Sequence, residues 1–156
     1  MGDSITFRWW LPRTNLGVSG NTTAMMAVRF PEQVLGHDYK ALVILGGTND
    51  VLRSTGPIDS EAATAITNIG SMASQAEKQG MDVVLCLIPP IQGMDSEVVV
   101  MNQAIANFAK EHQYKLVDYY TPLIGHPDYF VDGVHPTLTG YFVMQAALAR
   151  AIPVND

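Results

Sequence analysis

The chain has 156 residues, 47% of them hydrophobic and 15% charged, which fits a single globular domain with a real core. Its formal net charge is −6 and its nine Lys and Arg form no basic run, which argues against nucleic acid and against docking on an anionic membrane surface. The lone cysteine, Cys86, excludes an internal disulfide or a Cys-based metal site, and no apolar stretch reaches the ~20 residues of a bilayer span.

A short strand is expected around Asn15 to Val18. A helix follows over Thr22 to Leu35, with Asn21 as N-cap and Pro31 expected to bend or divide it. Lys40 to Leu45 (KALVIL) is β-branched and apolar on both faces, as a buried parallel strand should be. Asp59 to Gln79 reads as a helix with Ile66, Ile69, Met72, Ala73 and Ala76 on its apolar face and Gly80 as its stop. Met81 to Ile88 is the next strand, ended by Pro89-Pro90, and Cys86 within it reads as a small buried hydrophobe. Asp95 to His112 is helical, capped by Asp95 or Ser96, with Val99, Val100, Ala104, Ile105 and Phe108 facing inward. A weaker strand, Tyr114 to Asp118, precedes a last helix from about Thr137 to Ala151. Met25, Met26 and Met144 fit helix faces and are read as core. With no repeats, low-complexity tracts or linkers, residues 1–156 form one domain, an α/β sandwich around a parallel sheet.

In such a sheet the strand C-terminal ends share one edge, and ligands bind there. Three polar stretches fall at that edge: Gly17-Val18-Ser19-Gly20-Asn21, Gly46-Gly47-Thr48-Asn49-Asp50 and Asp132-Gly133-Val134-His135-Pro136. With Ser4 in the opening MGDSIT they supply a nucleophile, a base, a carboxylate to orient the base, and amide donors, the set that acyl transfer needs. Each stretch has a plainer reading: a terminal serine, a helix cap at Gly20-Asn21, a turn at GGTND.

GDSI at 2–5, GVSGN at 17–21, GGTND at 46–50 and DGVHP at 132–136 resemble, in order, the four motif blocks of the SGNH hydrolase (GDSL-like lipase/acylhydrolase) superfamily. The resemblance spans nearly the whole chain and implies a flavodoxin-like three-layer α/β/α sandwich that hydrolyses esters, sometimes thioesters or amides, without a metal or organic cofactor. Position by position it makes Ser4 the nucleophile and a backbone oxyanion donor, Gly20 a second backbone donor, and Asn49 a side-chain donor. His135 becomes the general base and Asp132 its carboxylate partner. In the family a central strand precedes the first block, whereas only Met1 precedes Gly2 here. The expectation is therefore an N-terminally shortened domain with that strand missing and a gap in the sheet. The compartment stays open for the same reason, although no signal peptide is visible.

Two functional readings stand at this point. One is a serine esterase acting on a small-molecule ester with a short acyl chain, such as an acetyl group on a carbohydrate, with lysophospholipase or aryl esterase activity as its nearest alternative. The other is a non-catalytic binding domain whose absent strand has cost it the nucleophile's geometry. Trp9 and Trp10 either line an acyl pocket, stack on a sugar ring, or cap the sheet edge; Ile91, after Pro89-Pro90, adds an apolar wall. Short segments between the blocks leave no room for a large lid. His37 and His112 read as exposed, and His126 with Asp128, Asp132 and His135 lacks tight metal-ligand spacing, so no metal is expected. An open sheet position invites pairing with another copy of the chain.

Overall fold

The computed structural model describes residues 1–10 and 13–152. In chain order these form α1 (Ser4–Phe7), α2 (Thr23–Val34), β1 (Ala41–Ile44), α3 (Thr48–Leu52), α4 (Ile58–Lys78), β2 (Asp82–Leu87), α5 (Asp95–His112), β3 (Lys115–Asp118), a 3-10 turn at Pro127–Tyr129, and α6 (Leu138–Ala151). The strands make a parallel sheet in the order β1-β2-β3, with Ala41 beside Asp82 and Val84 beside Lys115. Parallel neighbours require crossovers, which α3 and α4 supply between β1 and β2, and α5 between β2 and β3. α4 and α5 pack on each other and on the sheet, α2 packs on α4, and α6 packs on β3, giving the expected α/β/α layering.

The helix faces follow their spacing. Ala62, Ala65, Ile69, Met72, Ala73 and Ala76 of α4 are buried at intervals of three and four, and the small alanines leave room for neighbouring helices. In α5 the buried face is Val98, Met101, Asn102, Ile105 and Ala109, while Val99, expected inside, is exposed. Asn102 explains the offset. Its amide donates to the Ile88 carbonyl (3.0 Å) and accepts from the Ile88 N–H (2.8 Å), so a polar residue occupies a core position at the end of β2. Cys86 is buried as expected, and burial pushes its thiol pKa up to about 12.

Other local expectations are corrected. α2 runs uninterrupted through Pro31, and its N-cap is Thr22, whose hydroxyl accepts from the Met25 N–H; Asn21 instead accepts from Arg29 Nε (2.7 Å). Met94, without a side-chain bond, caps α5 in place of Asp95 or Ser96. Met25 is exposed, whereas Met26 and Met144 are fully buried. Asn15 to Val18 forms no strand: Gly17 contributes a single parallel bridge to Gly2.

That bridge belongs to the sheet position beside β1. Met1 and Gly2 hold two rungs there: the Leu45 N–H donates to the Met1 carbonyl (3.2 Å), and the Met1 ammonium donates to the Val43 carbonyl (3.0 Å). On their other side the Val18 N–H donates to the Gly2 carbonyl (3.1 Å), which also accepts from Arg29 Nη2 (2.8 Å). Alongside these rungs lies an apolar cavity of about 360 Å³, bounded by Leu42 and Val43 of β1 and by Trp9, Tyr119 and Leu148. The backbones approach closely because Gly2 and Gly17 lack side chains. A Cβ on Gly2 would collide with the Thr6 side chain, and one on Gly17 with the Phe7 backbone.

Candidate active site

Gly2 leads straight into Asp3 and Ser4, so the two rungs fix where α1 begins. Asp3 caps this single turn, its Oδ1 accepting from the Ile5 N–H at 2.9 Å. From the far side the Tyr141 hydroxyl of α6 donates to the Ile5 carbonyl at 2.8 Å. Ser4, at the first helical position, is thus pinned by β1, by the 16–18 segment and by α6.

The segment before α6 meets it. Ser4 Oγ lies 2.8 Å from His135 Nε2, and His135 Nδ1 lies 2.7 Å from Asp132 Oδ2. Asp132 Oδ1 accepts from the backbone N–H groups of His135 (2.8 Å) and Val134 (3.0 Å), with Gly133 at φ 81 making the turn. The His135 backbone N–H is the main cause holding the Asp132 pKa down to about 2; burial opposes it, and the His135 ring and the Val134 N–H add to the lowering. An ionised carboxylate only accepts, so Nδ1 carries the ring proton and Nε2 is left to accept from the Ser4 hydroxyl.

Asp3 shows the opposite behaviour. Its carboxyl is fully buried, burial raises its pKa to about 6, and its Oδ2, like the hydroxyl of Thr48 beside it, has no hydrogen-bond partner.

Gly20 and Asn49 are brought together by a buried polar cluster. Gly47, at φ 124, starts α3 in a conformation that favours glycine. Asp50 of α3 then accepts from the Thr23 N–H (3.0 Å) and hydroxyl (2.5 Å) at the start of α2, and Asn68 of α4 donates to the same hydroxyl (3.1 Å). With α3 locked to α2, Asn49 Nδ2 donates one hydrogen to the Asn21 carbonyl at 3.0 Å and keeps the other for a ligand. Among the described residues no acceptor takes the Gly20 N–H or the Ser4 N–H. The sequence names Ser4, Gly20, Asn49, Asp132 and His135 as candidates but not the residues that hold them: Thr23, Asp50, Asn68, Arg29 and the Tyr141 hydroxyl. Asp50, in the GGTND block, was the one with a visible signal.

The residues read as substrate walls are dispersed. Trp9 is buried between Tyr119 and Tyr141 and lines the cavity beside β1, a packing role. Trp10 is half exposed against Tyr141 and Phe142. Ile91 is buried and borders a smaller cleft with Gln92, Phe130 and Gly133. His126 stacks on Tyr129 at 4.5 Å, and no three His, Cys, Asp or Glu among the described residues converge as a metal site.

Known proteins share this organisation. The family model for the GDSL-like Lipase/Acylhydrolase family matches residues 1–142. Esterase TesA of Pseudomonas aeruginosa is 30% identical over 129 residues, 80% of this chain, and the chain spans 61% of that relative's length. The crystal structure of a GDSL-like lipase from Bacteroides thetaiotaomicron superposes with a TM-score of 0.85 at 31% identity, covering 97% of this chain and 85% of that one. A catalytic mutant of the acetylxylan esterase Axe2 from Geobacillus stearothermophilus shares the fold, with a TM-score of 0.80 at 20% identity over 91% of this chain and 72% of that one.

Proposed function

The chain belongs to the GDSL-like lipase/acylhydrolase family, and on that premise we propose that it is a serine esterase for short-chain carboxylic esters, an acetyl group on a carbohydrate being one such substrate. The observation that carries this reading is the continuous chain from Ser4 Oγ through both His135 nitrogens to Asp132, with steps of 2.8 and 2.7 Å.

Ser4 Oγ attacks the ester carbonyl as His135 Nε2 takes its proton, and Asp132 stabilises the imidazolium that forms. The tetrahedral oxyanion accepts from the Ser4 and Gly20 N–H groups and from Asn49 Nδ2, each such donor contributing roughly 3 kcal/mol. On collapse, the C–O bond to the alcohol breaks and His135 returns the proton to the leaving oxygen, giving an acyl-serine. Water, deprotonated by His135, attacks that acyl group and regenerates Ser4. The preference for small acyl groups is supported by the short segments joining the elements around the site, and the acetylxylan esterase that shares the fold makes an acetylated sugar a reasonable first substrate to try. The alternative of a non-catalytic binding domain required the nucleophile's geometry to be lost, and the 2.8 Å approach of Ser4 to His135 weighs against it.

Hydrolysis of 4-nitrophenyl acetate by the wild type, Ser4→Ala and His135→Ala tests the reading. Each substitution is expected to lower kcat/KM by about 10³-fold or more. Equal activity in all three would overturn it, and a panel of acyl lengths, including a lysophospholipid, then sorts the substrates.

A further inference from the structure

Gly20 has φ 77, and a Cβ built on it would lie 3.0 Å from a guanidinium nitrogen of Arg53. A guanidinium nitrogen of Arg53 therefore lies close to Gly20, the residue whose N–H is a candidate oxyanion donor. Its placement follows from α3. Arg53 lies four residues after Asn49 and caps that helix, its own N–H donating to the Asn49 carbonyl at 3.1 Å. One arginine thus neighbours both oxyanion-side residues, its backbone bonded to Asn49 and its guanidinium close to Gly20.

Nothing in the described protein uses that charge. The ion pairs among the described residues are Lys40–Asp38 and His135–Asp132, and the Arg53 side chain makes no hydrogen bond there. Arg29, by contrast, commits its donors to Asn21, Gln33 and Gly2. The nearest acid in sequence, Asp50, is engaged by Thr23. In a chain of net charge −6, an exposed and uncommitted guanidinium at this position is a local feature rather than part of a basic surface.

We propose that Arg53 is a specificity-determining residue that selects esters bearing a carboxylate on the acyl arm, a few bonds from the scissile carbonyl. The planar guanidinium matches a carboxylate in two parallel hydrogen bonds. The acyl arm is the one concerned because the leaving alcohol must face His135, which protonates it, whereas Arg53 sits on the Gly20 and Asn49 side. This deepens the esterase reading and rests on it for the word ester; recognition of the carboxylate can be measured without turnover.

Two substrates that differ by one methyl group test the charge, each corrected for its own uncatalysed hydrolysis: 4-nitrophenyl hydrogen succinate and its methyl ester. The wild type is expected to favour the charged form by about 10-fold or more in kcat/KM, mainly through KM, because a charge-assisted hydrogen bond is at stake. In Arg53→Gln the ratio falls to near one, and in Arg53→Lys much of it returns. A wild-type ratio at or below one, or an unchanged ratio in Arg53→Gln, overturns the proposal, as does an equal loss on both substrates, which would make Arg53 a positioning residue for Gly20. Binding of monomethyl succinate to Ser4→Ala, and its weakening in the Ser4→Ala, Arg53→Gln protein, reads recognition directly. Failure of that binding sinks the proposal, while absence of Ser4-dependent hydrolysis of either ester sinks the esterase reading instead.

Discussion

Asp3 and Asp132 are carboxylates at one site, and their surroundings push them in opposite directions. Asp132 is half exposed and accepts from three N–H groups of its own turn, so its pKa falls to about 2. The stability it contributes is present above the ordinary value of 3.8 and is lost as pH falls from there towards 2. Asp3 is fully buried with one oxygen unpartnered, and its pKa rises from 3.8 to about 6. Its protonated form suits the fold, so its contribution is present below about pH 4 and is lost as pH rises through 6. Asp3→Asn keeps an oxygen for the Ile5 N–H and carries no charge. Urea unfolding should find the variant more stable than the wild type at pH 8, by an amount on the order of 2 kcal/mol, and no different near pH 4. The same pH dependence in both proteins would show that the Asp3 carboxylate is not the cause.

At the scale of elements, the site hangs on close approaches that only glycine permits. Replacing Gly17 by alanine puts a methyl group into the Phe7 backbone and forces the Gly2–Gly17 rung apart. Gly17→Ala should therefore cost more than about 2 kcal/mol in thermal or urea unfolding and weaken labelling of Ser4 by a fluorophosphonate. Unchanged labelling would mean that the rung does not position the serine. Such contacts explain what could be read in advance and what could not. KALVIL and MDVVLCLI are strands on composition alone, because beyond Lys40 and Asp82 near their starts they are unbroken apolar runs, as buried parallel strands should be. The face of α5 was misread by one position because Asn102, a core residue, looks polar in sequence while its amide is satisfied by Ile88. The motif residues are legible because their chemistry is local to each block. Their supports are not, since Thr23 and Asp50 are 27 residues apart and nothing in the intervening chain announces that they pair.

Taken as a whole molecule, the layers carry GGTND directly after β1, and among the described residues Met1 and Gly2 hold the sheet position beside that strand. The two halves of the site therefore depend on the fold to different degrees. The imidazole and its carboxylate are oriented by bonds spanning two or three residues, from Asp132 to Val134 and His135. Ser4 is oriented by bonds spanning 42 and 136 residues, to Val43 through Met1 and from Tyr141. As urea loosens the chain, fluorophosphonate labelling of Ser4 should disappear at a lower concentration than the helical circular dichroism signal, because long-range rungs open before the layered core melts. Coincident midpoints would show one cooperative unit instead. On the proposed roles, His135 is wound by its own short turn and would keep its orientation after Ser4 had lost its own: the site would fail first by losing aim, while most of the architecture still stands.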